Sequence, residues 1–295
     1  TLYANLLLRN TRSIALAAWD APLVTKPALN LMAELLMTCG IPVLGRQHGG
    51  NYVVQDLGTI HFDSDFNRCT HYFSYGFGQM DFEKTYPNAK ARCAFAPAGD
   101  PPVAVKRSAT PIDIVFPISQ CLELLWLCKM PESELVHRQA RILEALEARK
   151  DLSCVVKPMP NRSENDFAHT ETLRRLRHTR IGRGSWPSYL KSHRPRLIVF
   201  DFPSSPLFEA LSLDGALSLD ADMFLMLDPV QPFVDYALAM LKKRVHVFDT
   251  AEEMADAIRR YGAGSAERLR DDEFYRTYMN RGAPNAAFEL LSIPT

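Results

Sequence analysis

The chain has 295 residues, of which 47% are hydrophobic and 23% charged, a composition typical of globular proteins and long enough for two domains. Its 34 basic and 34 acidic residues cancel to a net charge of zero, which argues against a dedicated nucleic-acid-binding protein. No apolar run reaches the ~18 residues that span a bilayer, and no signal peptide opens the chain, so we expect a cytoplasmic location. The chain begins at Thr1 without a methionine, which is consistent with a truncated N-terminal domain.

Six cysteines are scattered through the chain without a C-x-x-C pair, and most lie in apolar contexts. The pattern predicts neither a zinc site nor a disulfide framework, and it favours a reducing compartment. These cysteines are Cys39, Cys69, Cys93, Cys121, Cys128 and Cys154.

The first part of the chain predicts short strands joined by a helix and turns. Within residues 12–40, TKPALNLMAELLMTCG is apolar at helical spacing and predicts a helix that ends at Gly40. The run IPVLG predicts a strand that leaves through the turn QHGGNY (47–52). Two more strands are predicted from CTHYFSYGFG (69–78) and ARCAFAPAG (91–99).

After a linker rich in proline and glycine, AGDPPVAVKRSATP (98–111), strands and helices alternate. We predict strands at 112–119, 152–161 and 196–205, and helices at 132–150, 171–180, 206–215 and 250–262. This alternation predicts parallel sheets with right-handed crossovers. The fold class is therefore α/β, with two Rossmann-like domains facing a cleft. We place the domains at 1–108 and 109–260, followed by a helical and polar tail at 261–295.

Three predicted strand exits carry polar residues, and each has two interpretations. His48 and Asn51 flank two glycines, which fits either a tight turn with a satisfied histidine or a ligand site at the end of a strand. Lys157 ends a predicted buried strand, where it is either a lysine whose ammonium reaches the surface or a ligand for an anion. Ser204 and Ser205 precede a helix, where they serve as N-caps or hold a phosphate.

Other patterns in the sequence are weaker. His-Gly-Gly resembles an oxyanion-hole turn, but GRGSW (182–186) lacks the second glycine of a nucleophile elbow and follows no predicted strand. No P-loop and no G-x-G-x-x-G occurs. His61, Asp63 and Asp65 suggest either a metal site or solvated side chains, and Asp56 is a further carboxylate nearby. Five arginines form either a solvated face or a surface for an anionic acceptor or membrane: Arg174, Arg175, Arg177, Arg180 and Arg183.

Taken together, the QHGG-N-Y turn, the aromatic and glycine-rich exit YFSYGFG, the K-P-x-P element and D-x-P-S-S-P-L-x-E-A-L resemble bacterial surface-carbohydrate glycosyltransferases of GT-B architecture. The resemblance covers about residues 36–260 and is nearest to the capsule and lipopolysaccharide Kdo transferases. It implies an acceptor-side domain first and a nucleotide-sugar-binding domain second. The implied reaction transfers a sugar from a nucleotide donor, CMP-Kdo-like first and a UDP-sugar second, to an oligosaccharide or lipid-linked glycan.

The resemblance also implies roles for residues. In those families a K-x-H-P element binds the nucleotide and a serine pair at a helix start holds its phosphate. The donor residues here are Lys157, Pro158, Asn161, Ser204, Ser205 and Glu209, with Pro160 also in the motif. Gln47, Gly49, Gly50 and Tyr52 contact the acceptor or sugar, and His48 and Asn51 are the catalytic candidates. Met159 replaces the motif histidine, and a thioether cannot donate a hydrogen bond to a nucleotide.

No cofactor and no metal are expected, because a helix dipole and the serine pair stabilise the leaving phosphate. We also expect peripheral contact with the inner face of the membrane and no nucleic-acid partner. Two other functions remain open: a non-catalytic glycan- or nucleotide-binding module, which Met159 and the expected N-terminal truncation favour, and a nucleotide-sugar epimerase.

Overall fold

A computed structural model gives the architecture of the chain, which divides into two compact units. The first unit contains Thr1–Pro101 and Arg276–Thr295, and the second contains Pro102–Tyr275. The structure describes residues 17–20, 27–47, 49–55, 65–98, 110–119, 131–158, 170–217, 219–262 and 268–279.

The first unit is built on a four-stranded parallel sheet whose strands lie in sequence order. Its elements are β1 (Ala17–Asp20), α1 (Pro27–Thr38), β2 (Val43–Arg46), β3 (His71–Ser74), α2 (Gln79–Thr85) and β4 (Ala94–Pro97). Helix α1 ends at Thr38, and Gly40 follows with a φ of 73°, a left-handed conformation that favours glycine and stops the helix. The Ile41 N–H donates back to the Leu36 carbonyl at 3.0 Å and closes that end.

An aromatic cluster fills the core of the first unit. Phe66 lies at its centre, with ring centroids 4.9 Å from Tyr72, 5.1 Å from Phe95 and 5.5 Å from Phe82. All three contacts are edge-on, the geometry that aromatic rings prefer. Within YFSYGF (72–77), Tyr72 of β3 lies inside this core. Phe77, which is 1% exposed, packs the loop after β3 against the same core.

The second unit alternates strands and helices throughout. Its elements are β5 (Thr110–Phe116), α3 (Glu132–Ala148), β6 (Cys154–Val156), α4 (Thr170–Arg175), β7 (Arg180–Ile181), α5 (Trp186–Ser192), β8 (His193–Phe200), α6 (Ser205–Leu217), β9 (Asp222–Met226), α7 (Asp235–Leu241), β10 (His246–Phe248) and α8 (Ala251–Arg260). A last helix, α9 (Glu273–Tyr278), begins in the second unit and ends in the first, whose second segment starts at Arg276.

The six strands of the second unit are all parallel, in the order β10-β9-β8-β5-β6-β7. Counted from β5 as the first strand, this is the 3-2-1-4-5-6 order of a Rossmann fold read from the far edge. The direction of winding reverses between β5 and β8. Ligands of such sheets bind outside the carboxyl ends of the strands at this switch point.

Helices cover both faces of this sheet. Leu197 and Val199 of β8 share a core cluster with residues of α3 and α8. Because side chains alternate along a strand, Ile198 and Phe200 point to the opposite face, and α5 contacts β8 and α6. Because residues on both faces of β8 are buried, the end of this strand is a continuous apolar run and does not alternate with polar residues.

The prediction of two α/β units with parallel sheets is confirmed. Strand β1 lies within residues 12–40, ahead of the helix predicted from TKPALNLMAELLMTCG, and it was not predicted. The elements β7, β9, β10, α2, α5 and α7 were not predicted either. The predicted helix at 171–180 is wrong in its second half. It ends at Arg175, because the Glu147 carboxylate accepts the N–H groups of residues 177–179 and the chain enters β7 at Arg180.

Candidate functional site

The exits of β5 and β8 are joined by a buried polar network at the switch point of the second unit. Ser119 donates to Asp201 twice, from Oγ to Oδ1 at 2.7 Å and from its backbone N–H to Oδ2 at 3.1 Å. Gln139 of α3 donates to Asp201 Oδ2 at 2.7 Å and to the Ser119 carbonyl at 2.8 Å. Burial raises the pKa of the Asp201 carboxyl, while these hydrogen bonds oppose the rise.

Helix α3 also reaches the exit of β9. Arg138 is 3% exposed and donates from Nη1 to the Leu227 carbonyl at 3.0 Å. The next residue, Asp228, is 2% exposed; its Oδ1 accepts the Val230 N–H at 2.8 Å, and its Oδ2 has no hydrogen-bond partner among the described residues. Sequence reasoning missed Ser119, Arg138, Gln139 and Asp228. The one sequence signal was an apolar run, MFLML (223–227), followed directly by the carboxylate of Asp228.

The exits of β6 and β7 lie against one another. Lys157 is 3% exposed, and its Nζ donates to the Pro158 carbonyl at 2.5 Å. A Cβ placed on Gly182 would stand 3.1 Å from Lys157 Cδ, so the absence of a side chain there admits the lysine stem. Burial lowers the pKa of the Lys157 ammonium. Pairing with an anion would favour the charged form of this buried ammonium, so the site suits a negatively charged ligand.

The exits of β7 and β8 are also joined. Trp186, the first residue of α5, donates its indole N–H to the Pro206 carbonyl at 2.9 Å. Ser204 is half-buried and Ser205 exposed at the start of α6. Neither hydroxyl has a hydrogen-bond partner within the described ranges. Glu209 follows one turn into the helix, half-buried.

In the first unit, Gln47 joins the exits of β2 and β3. Its Oε1 accepts the Tyr75 N–H and its Nε2 donates to the Gly49 carbonyl, both at 2.7 Å. Gly49 has a φ of 87°, so the turn requires glycine there, and Gly50 is buried. The Asn51 carbonyl accepts the Gln55 N–H at 3.2 Å. Gln47 is thus a positioning residue, 2% exposed, beneath the predicted contact turn.

Tyr52 lies in the core of the first unit. It is 1% exposed and its hydroxyl donates to Asp65 Oδ2 at 2.7 Å. Burial, followed by the charge of Asp65, raises the pKa of Tyr52 well above its usual range. The carboxylate of Asp65 and the hydroxyl of Tyr52 are therefore partners of one another inside the core.

Several predicted site residues lie outside the described residues: His48, Asp56, His61, Asp63, Met159, Pro160 and Asn161. Within the described ranges, no group of three or more His, Cys, Asp or Glu comes together to hold a metal. The four cysteines in those ranges are free, and three of them are buried. The same part of the chain contains no helix with the length and apolarity needed to cross a bilayer.

One expectation about the β7 exit was wrong. GRGSW does follow a strand, since β7 ends at Ile181 and α5 begins at Trp186. The two-residue strand was too short to recognise. The five arginines do not share one helix face either: Arg174 and Arg175 end α4, whereas Arg180 begins β7 and Arg183 follows it.

No protein-family model matches the chain, and no curated protein does. Solved structures do match. The spinosyn rhamnosyltransferase SpnG, complexed with spinosyn aglycone, has a TM-score of 0.50 and 13% identity over 98% of this chain and 76% of its own. TarM has a TM-score of 0.48 and 10% identity over 100% of this chain and 55% of its own. MurG of Acinetobacter baumannii has a TM-score of 0.46 and 11% identity over 98% and 75%.

These identities show the fold alone. The chain has the GT-B fold of glycosyltransferases, built from Rossmann-like units, as the resemblance in the sequence implied. It spans about half (55%) of the length of TarM.

Proposed function

We propose that the chain is a glycosyltransferase that takes a sugar from a nucleotide-sugar donor bound to the second unit. The single observation that carries the proposal is the meeting of three strand exits at the carboxyl edge of a Rossmann sheet. Lys157 contacts the exit of β7 at Gly182, and Trp186 fastens that exit to the first turn of α6 at Pro206. The SpnG fold, that of a rhamnosyltransferase, supports the same class of function.

Ser204 and Ser205 suit the diphosphate or phosphate of such a donor. Two hydroxyls without partners in the described structure stand where the positive end of the dipole of α6 emerges. A 13-residue helix is long enough for this dipole to favour an anion. In the transfer step, the same groups stabilise the negative charge that develops on the leaving phosphate.

Lys157 completes the cation side of this site. Its ammonium donates a hydrogen bond to the adjacent Pro158 carbonyl, and burial lowers the pKa of the ammonium. A phosphate oxygen is a stronger partner than a neutral carbonyl, because both groups of the new hydrogen bond are charged. We therefore expect donor binding to draw Lys157 toward the phosphate and to raise its pKa again.

The remaining assignments rest on the sequence resemblance. We propose a CMP-Kdo-like donor first and a UDP-sugar second, with a bacterial surface glycan as the acceptor. His48 serves as the base or orients the sugar carboxylate, and Asn51 hydrogen-bonds the same ligand. We propose that the reaction proceeds without a metal, and that the protein acts in the cytoplasm, at the inner face of the membrane.

The test is a thermal-shift panel on the full chain with CMP, UDP, GDP and their sugars, followed by a donor-turnover assay. A ligand at about 100 times its Kd adds about 2.7 kcal/mol of stability, which is readily measured. The double variant S204A/S205A should lose at least tenfold in donor turnover. The control S188A changes an exposed serine of α5 and should behave as wild type.

Each outcome has a distinct meaning. Stabilisation by CMP nucleotides alone supports the Kdo-type donor, and a preference for UDP moves the assignment to a hexose donor. A donor that is converted without any acceptor indicates an epimerase. Nucleotide binding without turnover indicates a non-catalytic module, in which S204A/S205A would change only the binding affinity. No stabilisation by any nucleotide contradicts the proposal.

A further inference from the structure

A cavity in the second unit borders the proposed transfer site at Gly182 and extends away from it. It has a volume of about 360 Å³, within the range of small-molecule sites. It lies between the sheet and α5. Its lining consists of Thr110, Ile112, Val155, Arg180, Ile181, Gly182, Arg183, Tyr189 and His193. We call it the β7 pocket.

The β7 pocket extends away from the carboxyl edge at which the donor site is proposed. Thr110 and His193 are the first residues of β5 and β8, and they pair with each other at the amino ends of these strands. Thr110 is six residues before Phe116, which corresponds to about 20 Å along an extended strand. The pocket meets the β7 exit at Ile181, Gly182 and Arg183, whereas Thr110 and His193 line its far end, away from the exits of β6 and β8.

The charge of the β7 pocket is positive and uncompensated. Arg180 and Arg183 are exposed, and in the part of the chain that the structure describes neither forms an ion pair. Burial raises the pKa of Tyr189 to about 12, and the charge of Arg180 opposes that rise, so this guanidinium lies close enough to act on the phenol. Two guanidiniums at one cavity favour a phosphate or carboxylate group, which each binds with two parallel hydrogen bonds.

The rest of the lining suits a hydroxylated body. Val155, Ile112 and Gly182 form an apolar floor, while Thr110 and Tyr189 add hydroxyls. The His193 ring stacks on Tyr189, with centroids 4.1 Å apart and planes at 16°. Its Nδ1 lies 3.0 Å from the Tyr189 carbonyl. The same Nδ1 lies 2.9 Å from Ser192 Oγ, so the ring is held through Nδ1, which leaves Nε2 to hydrogen-bond a hydroxyl.

We propose that the β7 pocket binds a phosphorylated sugar or polyol, with its phosphate on Arg180 and Arg183 and its hydroxyls toward Thr110 and His193. The inference goes beyond the proposed function, because it requires neither a nucleotide nor an acceptor. It assigns a second small-molecule site to the same unit, which extends toward the amino ends of β5 and β8, whereas the serine pair follows the carboxyl end of β8.

The test is calorimetric titration of the full chain at low salt with inorganic phosphate, glycerol 3-phosphate, glucose 6-phosphate and neutral glucose. Glucose 6-phosphate should bind more tightly than inorganic phosphate, and glucose should not bind detectably. R180Q and R183Q should each weaken glucose 6-phosphate binding by about tenfold, as expected for one lost charged hydrogen bond of at least about 1.4 kcal/mol. The double variant should abolish it.

The matched control is R177Q, an exposed arginine of the same segment that does not line the pocket. It should bind glucose 6-phosphate as wild type does. Equal weakening by R177Q would reduce the effect to general surface charge and overturn the proposal. So would the absence of binding by all phosphate probes. All three arginines are exposed, so the variants should fold, and thermal melting checks this.

A competition experiment separates this site from the donor site. With saturating CMP or UDP, whichever the chain binds, glucose 6-phosphate should still bind with unchanged affinity. Displacement by the nucleotide would mean that the pocket is part of the donor site, which overturns a second site while leaving the transferase proposal intact. If neither nucleotide binds, the R180Q and R183Q series still decides the inference by itself.

Discussion

Ser119 Oγ donates a 2.7 Å hydrogen bond to Asp201 Oδ1, joining two residues that are 82 positions apart in the chain. The bond spans the one place in the second sheet where the direction of winding reverses. Gln139 donates to the same carboxylate, so one buried acid holds the exits of two strands and the second turn of α3. This buried network thus holds the strand exits at the switch point of the sheet in place, and its side chains need not contact a ligand to do so.

We predict that D201A lowers the free energy of unfolding by about 2–3 kcal/mol, because it leaves the Ser119 and Gln139 donors buried without a partner. D201N should cost about 1 kcal/mol. Its amide oxygen can accept from Gln139 and the Ser119 N–H, and its amide group can donate to the Ser119 hydroxyl. Urea unfolding of the three proteins measures the order. A D201A protein as stable as wild type would contradict the role given to this carboxylate.

The pH dependence of the same group has a definite sign. Because the pKa of Asp201 is raised in the folded state, the folded state binds a proton that the unfolded state has already lost. The contribution of this residue is therefore fully present below the unfolded-state pKa of about 3.9 and decreases as the pH rises through the folded-state pKa. In D201N this decrease should be absent. Unfolding titrations between pH 4 and pH 8 compare the two proteins.

Sequence reasoning found β5 and β8 from their long apolar runs, and the three-residue β6 from an apolar run that leads into a proline-rich exit. Strands β7 and β10 have two and three residues, which is too short for periodicity to distinguish from loop. The run DMFLM of β9 is buried at every position, so it lacks the alternation that marks a strand. Neighbouring strands and helices, rather than local preference, hold these elements in place.

The candidate site was predictable to the same extent. Lys157 and the serine pair stand directly after recognisable strands, so the rule that ligands bind at strand ends identified them. Ser119 and Gln139 were not identifiable, because their significance lies in contacts with Asp201 across 82 and 62 residues of sequence. Arg138 likewise donates a hydrogen bond to the carbonyl of Leu227, 89 residues away in sequence. Only the assembled sheet brings such partners together.

Lys157 gives a prediction of opposite pH behaviour. Its pKa is lowered in the folded state by burial, so the unfolded state binds the proton more tightly. Stability should rise with pH from the folded-state pKa to the unfolded-state value of about 10.4. K157M should abolish this rise while weakening donor binding. Unfolding at pH 7 and pH 9.5 measures it, with the exposed-lysine variant K150M as the control that should follow wild type.

Gly76 and Gly78 offer a matched pair in the loop after β3. A Cβ on Gly76 would lie 2.6–2.9 Å from backbone atoms of residues 277–279, which is closer than contact allows. A Cβ on Gly78 would meet only Pro97 Cγ, at 3.7 Å. We predict that G76A lowers the free energy of unfolding by about 2 kcal/mol or more, whereas G78A changes it by less than about 0.5 kcal/mol. Limited proteolysis should also cut G76A faster near residues 277–279.

Gln47 provides the corresponding test in the first unit. Q47A leaves the Tyr75 N–H and the Gly49 carbonyl without the side chain that satisfies both, so it should cost about 1–3 kcal/mol of unfolding free energy. Q47E keeps the acceptor for Tyr75 but turns a second oxygen toward the Gly49 carbonyl, so we expect a similar loss.

The control for this prediction is Q79A. Gln79 is exposed, and its side chain donates only to Glu83 one turn along α2 at 2.7 Å. Removing it should change stability by less than about 0.5 kcal/mol. Chemical denaturation of Q47A, Q47E and Q79A measures the series. If Q47E were as stable as wild type while Q47A were not, the carbonyl of Gly49 would need no donor, and Gln47 would hold the turn through Tyr75 alone.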